Sequence, residues 1–158
     1  MASAAVPPVN QTRNLMADVF KLISLDVKGI SNFEKGEQCL LGAENEKLTI
    51  FLQETHITIN TDAQWKNEWG AEIITCHGSS NACGVAVLIR NGFDCTIRQQ
   101  ILDVLGCYII FKADIKDKTY LLINIYAPNK DKDLLTIFNK LIAILQKENL
   151  ESEDKLLL

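Results

Sequence analysis

Two acids and a phenol, each placed where an apolar run ends, carry the chemistry this sequence offers. Glu54 stands in Leu52-Gln53-Glu54-Thr55-His56, just past the apolar run 48–52, and Asp26 lies at the end of the β-branched and aromatic stretch 20–27, which Lys28-Gly29 closes. In α/β chains ligands gather in the crevice beyond the carboxyl ends of strands, so two such acids share a site if their strands are neighbours. Hard carboxylate oxygens suit Mg²⁺, which takes one or two of them together with water and substrate phosphate, and which polarises a phosphoryl oxygen. A strand-end acid can equally be solvated or cap the turn that follows, and spacing leaves both readings open. Tyr126, in Asn124-Ile125-Tyr126-Ala127-Pro128, ends another apolar run, where its phenol can bond a phosphate or simply pack. Asn124 lies two residues earlier and so on the same strand face. It is a candidate substrate-binding amide, or it satisfies a backbone edge.

Other chemistries lack their residues. His56 and His77 are the only histidines, both fall in loops, and neither has a Ser/Asp or Cys/Asp partner nearby in sequence for a hydrolytic triad. There is no P-loop, no GxGxxG and no HExxH. A net charge of −4 and a pI of about 5.2 provide no global basic field for a phosphate polymer. The five cysteines show neither a CxxC pair nor zinc-ligand spacing, which fits reduced thiols. The N-terminus lacks a basic segment followed by an apolar one, and no apolar run approaches membrane-spanning length. An intracellular location, nucleus or cytoplasm, is therefore expected, with no membrane partner.

The elements that must position these residues are mostly strands. At 158 residues, 47% hydrophobic and with mean hydropathy +0.06, the chain fits one domain. Residues 1–14 are expected to be a disordered lead-in, because Pro7-Pro8 and the polar run after them build no core. Strands are predicted over 20–27, 48–53, 72–76, 84–90, 95–101, 107–115 and 120–126. The close turn spacing from 77 to 118 suggests antiparallel meanders rather than βαβ crossovers. Asn60-Thr61-Asp62 offers N-cap chemistry for a short helix carrying Trp65 and Trp69 on one face, ended by Gly70. A longer helix, capped by Asp131 or Asp133, is predicted from the i, i+3, i+4 recurrence of Leu134, Ile137, Phe138, Leu141, Ile142 and Leu145. Residues 148–154 read as an acidic linker and 155–158 as the opening of another buried strand. The stretch 31–47 has poor helical periodicity and two glycines.

Taken together, LISLDVKGI (22–30), FLQETH (51–56), WKNEWG (65–70), HGSSNACGVAVLIRNGF (77–93) and YLLINIYAPN (120–129) resemble the endonuclease/exonuclease/phosphatase superfamily. The nearest resemblance is to the AP-endonuclease-like domain of LINE-type (non-LTR) retrotransposon proteins. It covers nearly all of this chain but only the N-terminal portion of the family domain, so 15–158 is expected to be a truncated domain. The resemblance implies an α/β (α+β) fold: a four-layer α/β sandwich, incomplete here, of mixed and largely antiparallel sheets. It also implies Mg²⁺-dependent hydrolysis of a phosphodiester, with DNA as partner. Carried over by position, Glu54 matches the metal-holding acid and Tyr126 the active-site tyrosine. Asp26 stands at an active-site asparagine position, where it cannot donate an amide hydrogen bond and is instead a second candidate metal ligand.

Two departures from the family pattern shape the expected function. The Gly-Asp-Phe-Asn and Ser-Asp-His segments, which bring the family's general base and its partner acids, do not occur in this sequence. The chain alone is therefore expected to be inactive, the alternative being a non-catalytic retrotransposon remnant or weak binding module. Where family members carry a basic amphipathic helix, residues 36–50 differ, yet their back-translation can encode such a helix in another frame. Two compensating indels are the expected cause. A weakened covering helix and missing strands would expose a sheet face, so self-association is expected.

Overall fold

The computed structural model describes residues 20–29, 48–79, 81–147 and 155–157. The lead-in 1–14, the acidic linker and all but 48–50 of the stretch 36–50 lie outside the described residues.

Side-chain alternation along the strands builds two sheets that each turn one face toward the other. One sheet runs β1 (Lys21–Asp26), β2 (Leu48–Gln53), β4 (Val85–Ile89), β3 (Glu72–Cys76) across its width. The other runs β5 (Cys95–Leu102), β6 (Tyr108–Ile115), β7 (Lys118–Ile125), β8 (Lys155–Leu157) in that order. Phe51, Val85, Val87 and Ile89 turn inward from the first sheet and meet Ile109, Phe111, Ala113 and Leu122 from the second. The rings of Phe51 and Phe111 pack edge to face at 6.1 Å between centroids. The alternate residues face outward, and among the described residues a helix packs on each outer face. Helix α1 (Asp62–Trp69) sets Trp65 against Ile50, Leu52, Ile73 and Leu88. Helix α2 (Asp131–Lys147) sets Ile137 and Leu141 against Ile110, Leu121 and Ile123. The result is a four-layer α/β sandwich of mixed sheets, as the resemblance implied.

The meander prediction holds for β5–β6–β7 and for β3–β4, which are antiparallel. It does not extend to the two parallel pairs, β1 with β2 and β7 with β8. Parallel neighbours need a long crossover, and α2 lies in the connection from β7 to β8. Turn spacing between 77 and 118 carried no information about these longer connections.

Both helix starts differ from their predicted caps. Thr61 is the N-cap residue of α1 but makes no side-chain cap bond; its hydroxyl instead accepts the Thr58 N–H at 3.0 Å. Asp131 and Asp133 lie inside the first turn of α2, where their charge meets the helix dipole. Gly70 ends α1 in the left-handed conformation, φ 67°, as expected. Of the apolar residues predicted for the core face of α2, Phe138 and Ile142 are 47% and 51% exposed. A helix lying on a sheet buries only about a 100° stripe, and Ile137 and Leu141 fill its centre.

Candidate active site

The two turns that follow β1 and β2 are locked together by the backbone. Val27 N–H donates to Gln53 O at 3.0 Å and Gly29 N–H to Glu54 O at 2.7 Å. Next to them, Thr55 N–H donates to Gly84 O at 2.9 Å and His56 N–H to Cys83 O at 3.1 Å. A Cβ on Gly29 would stand 2.7 Å from His56 Nδ1, at a residue whose φ is already +81°, so only glycine fits there. Lys28, Glu54, His56 and Cys83 all have positive φ, between 47° and 61°. Each such non-glycine residue costs on the order of 1–3 kcal/mol, held by the surrounding structure. The strain is concentrated where the acids are.

Between these turns and the end of β7 opens a cleft of about 520 Å³. Asp26, Glu54, Asn124 and Tyr126, the four residues singled out in the sequence, all line it. Parallel pairing puts Asp26 directly beside Gln53, one residue before Glu54. Tyr126 enters from the other sheet, its N–H bonded to Cys107 O at 2.7 Å and its hydroxyl 3.4 Å from Glu54 Oε1. Burial, and next the negative charge of Glu54, push the Tyr126 phenol above its ordinary value, so it is a proton donor at neutral pH. Asp26 does cap a turn, since its Oδ1 accepts Lys28 N–H at 3.3 Å, and it lines the cleft at the same time.

Asn124 is buried, 1% exposed, and its amide bridges the two sheets. Nδ2 donates to Leu52 O at 3.1 Å and to Ala86 O at 2.8 Å. Carbonyls only accept, so this fixes the orientation of the Asn124 amide and leaves Oδ1 to accept Gln53 Nε2 at 2.6 Å. Gln53 is thereby oriented too, with Oε1 3.3 Å from the Ser24 hydroxyl on the cleft wall. Asn124 thus lines the cleft and also orients Gln53. Sequence reasoning passed over Gln53, Ser24 and Lys28, although Gln53 sits inside the LQETH stretch itself.

His56 approaches the same acid, with Nε2 3.9 Å from Glu54 Oε1. His77 belongs elsewhere, 3.4 Å from Asp62 Oδ1, where Lys66 and Thr75 also meet the carboxylate. Burial pushes the Asp62 carboxyl up, but its contacts with Lys66, Thr75 and His77 outweigh this and hold it below the usual range. This group pins α1 to β3. Behind Tyr126, the thiols of Cys83 and Cys107 lie 3.9 Å apart and both are free. Burial, with Cys83 beside it, pushes Cys107 up to about 12.

The donor set fits a hard cation with few protein ligands. Among the described residues no group of three or more His, Cys, Asp or Glu side chains gathers to hold a metal ion. Glu54 and Asp26 give two carboxylates in an open, polar cleft. That suits Mg²⁺, which keeps several waters, and not a closed zinc site.

Comparison with solved structures settles the architecture. The AP endonuclease LMAP of Leishmania major superposes with a TM-score of 0.58 at 16% identity, covering 94% of this chain and 57% of that one. The Neisseria 3′ phosphatase NExo, solved with a product DNA hairpin, gives 0.58 at 16%, covering 82% and 52%. Humanized D. rerio TDP2 gives 0.57 at 13%, covering 85% and 62%. The chain has the endonuclease/exonuclease/phosphatase fold. It spans little more than half the length of these proteins with that fold. A sequence relative is the Transposon TX1 uncharacterized 149 kDa protein of Xenopus laevis, 29% identical over 108 residues, which are 68% of this chain and 8% of that protein. No protein-family model matches. Among the described residues no helix is long and apolar enough to cross a membrane.

Proposed function

We propose that this chain is the metal-holding side of a retrotransposon-type endonuclease domain, whose reaction is Mg²⁺-dependent hydrolysis of a DNA phosphodiester. The observation that carries the reading is the convergence of Glu54, Asp26 and Tyr126 in one cleft on a fold shared with DNA-processing enzymes. The relative in transposon TX1 supports the retrotransposon origin. Glu54 and Asp26 would hold Mg²⁺, which when bound supplies charge to stabilise a phosphoryl oxygen. Tyr126 keeps its proton and orients the Glu54 carboxylate, or donates to a phosphate oxygen when one is bound. Gln53, oriented by Asn124, keeps an acceptor on the same wall.

The 158 residues by themselves bind a divalent cation without turnover. Hydrolysis needs a general base for water, and among the described residues the histidine beside the cleft, His56, is packed on Gly29 and turned to Glu54. A plasmid-nicking assay with Mg²⁺ tests this, with Glu54→Ala as control. The expected result is no nicking by the wild-type chain above that control. Nicking that depends on Glu54 would overturn the inactive part of the reading and leave the nuclease assignment standing. An intracellular site of action belongs to the same proposal.

A further inference from the structure

Lys28 is the one charged residue of the cleft to which the nuclease reading gives no role. Among the described residues that line the cleft, it alone carries a positive charge, beside the two negative charges of Asp26 and Glu54. No carboxylate among the described residues lies within ion-pair distance of its ammonium, although both acids share the cleft with it. Its backbone is not free to drift. Lys28 sits at φ 47° between Asp26, which accepts its N–H, and Gly29, which is tied to Glu54 O and seated on His56. A strained position fixed on both sides is a mark of a residue held for function.

The charge balance gives that function. Asp26 and Glu54 alone would repel a phosphodiester. A divalent cation cancels both acids and leaves the pair neutral, with no surplus to attract a singly charged phosphate. Adding Lys28 gives the loaded cleft one net positive charge, which matches one phosphodiester. We propose that Lys28 is the phosphate-binding residue of this cleft, pairing its ammonium with a backbone phosphate oxygen of the nucleic acid. This inference rests on the nuclease reading for the identity of its ligand. In a protein of net charge −4, a lysine placed beside the two acids offsets their local repulsion of a phosphate.

The test measures binding rather than cleavage. Affinity for a DNA duplex is measured in Mg²⁺ at low and moderate salt for wild type, Lys28→Gln and Lys28→Arg, with the fold of each checked by its NMR spectrum. Separately, inorganic phosphate is titrated while the Lys28 side-chain resonances are followed. Lys28→Gln is expected to weaken binding, and to reduce the slope of log K against log salt by about 0.9, the loss of one phosphate contact. Lys28→Arg keeps the slope, and phosphate shifts the Lys28 signals. Unchanged slope and affinity in Lys28→Gln, with the wild type binding DNA, would overturn the Lys28 role alone. No DNA binding, but a phosphate-induced shift at Lys28, would overturn the nuclease reading and keep the phosphate site. Neither DNA binding nor a phosphate shift would overturn both.

Discussion

Glu54 occupies a left-handed turn with a phenol on one side and an imidazole on the other. The consequence can be read on Tyr126. Its phenol is raised by burial first and by Glu54 next, so its neutral form is favoured in the folded protein, and it should ionise only above the ordinary tyrosine range. Removing the negative charge with Glu54→Gln should lower that pKa part of the way, with the burial contribution remaining. Phenolate absorbance, compared with Tyr126→Phe to isolate this residue, checks it; an unchanged Tyr126 titration in Glu54→Gln would show the two are not coupled. At this scale the sequence was informative about identity and silent about orientation. Asp26, Glu54 and Tyr126 could be singled out because each ends an apolar run. The role of Asn124 could not, because it depends on carbonyls of Leu52 and Ala86 that come within reach only when the sheets pack.

The elements were legible wherever their hydrophobic period was regular. The core of β4, Val85–Ile89, follows from a continuous apolar run buried on both faces, and the stripe of α2 around Ile137 and Leu141 from i, i+4 spacing. Contacts that hold one element to another were not legible, and Asp62 is the clearest case. Chosen as N-cap chemistry, it instead joins α1 to β3 through Thr75 and His77. Its folded-state pKa lies below the ordinary 3.8, so its stabilising contribution is present above that pH and is lost as pH falls through the lower folded value. Asp62→Asn is therefore expected to cost about 1–3 kcal/mol near neutral pH, the worth of hydrogen bonds to a charged group. The difference should vanish in acid well below pH 3.8. Urea melts of the two proteins at several pH values measure this, and a pH-independent difference would mean that packing, not charge, is responsible.

At the scale of the whole molecule, the sandwich leaves several apolar side chains exposed among the described residues. Leu135, Phe138 and Ile142 on α2 are 63%, 47% and 51% exposed, and Val104 and Leu105 at the β5–β6 turn are 92% and 63% exposed. Self-association is the expected outcome. Sedimentation velocity should show an average mass that rises with concentration, and a monodisperse monomer across that range would contradict it. The parallel pairing of β1 with β2 has the larger functional consequence, because it brings Asp26 beside Gln53 and so places two acids on one wall. Sequence order alone did not reveal that pairing; it depends on a crossover whose residues carry no regular period. In the proposed function, Glu54 and Asp26 form a divalent-cation site facing Tyr126. Paramagnetic broadening by Mn²⁺, standing in for Mg²⁺, tests it most directly. Broadening is expected to centre on the amide signals of Asp26, Glu54 and Tyr126 and to be lost in Glu54→Gln. Broadening centred elsewhere, or unchanged in that variant, would contradict it.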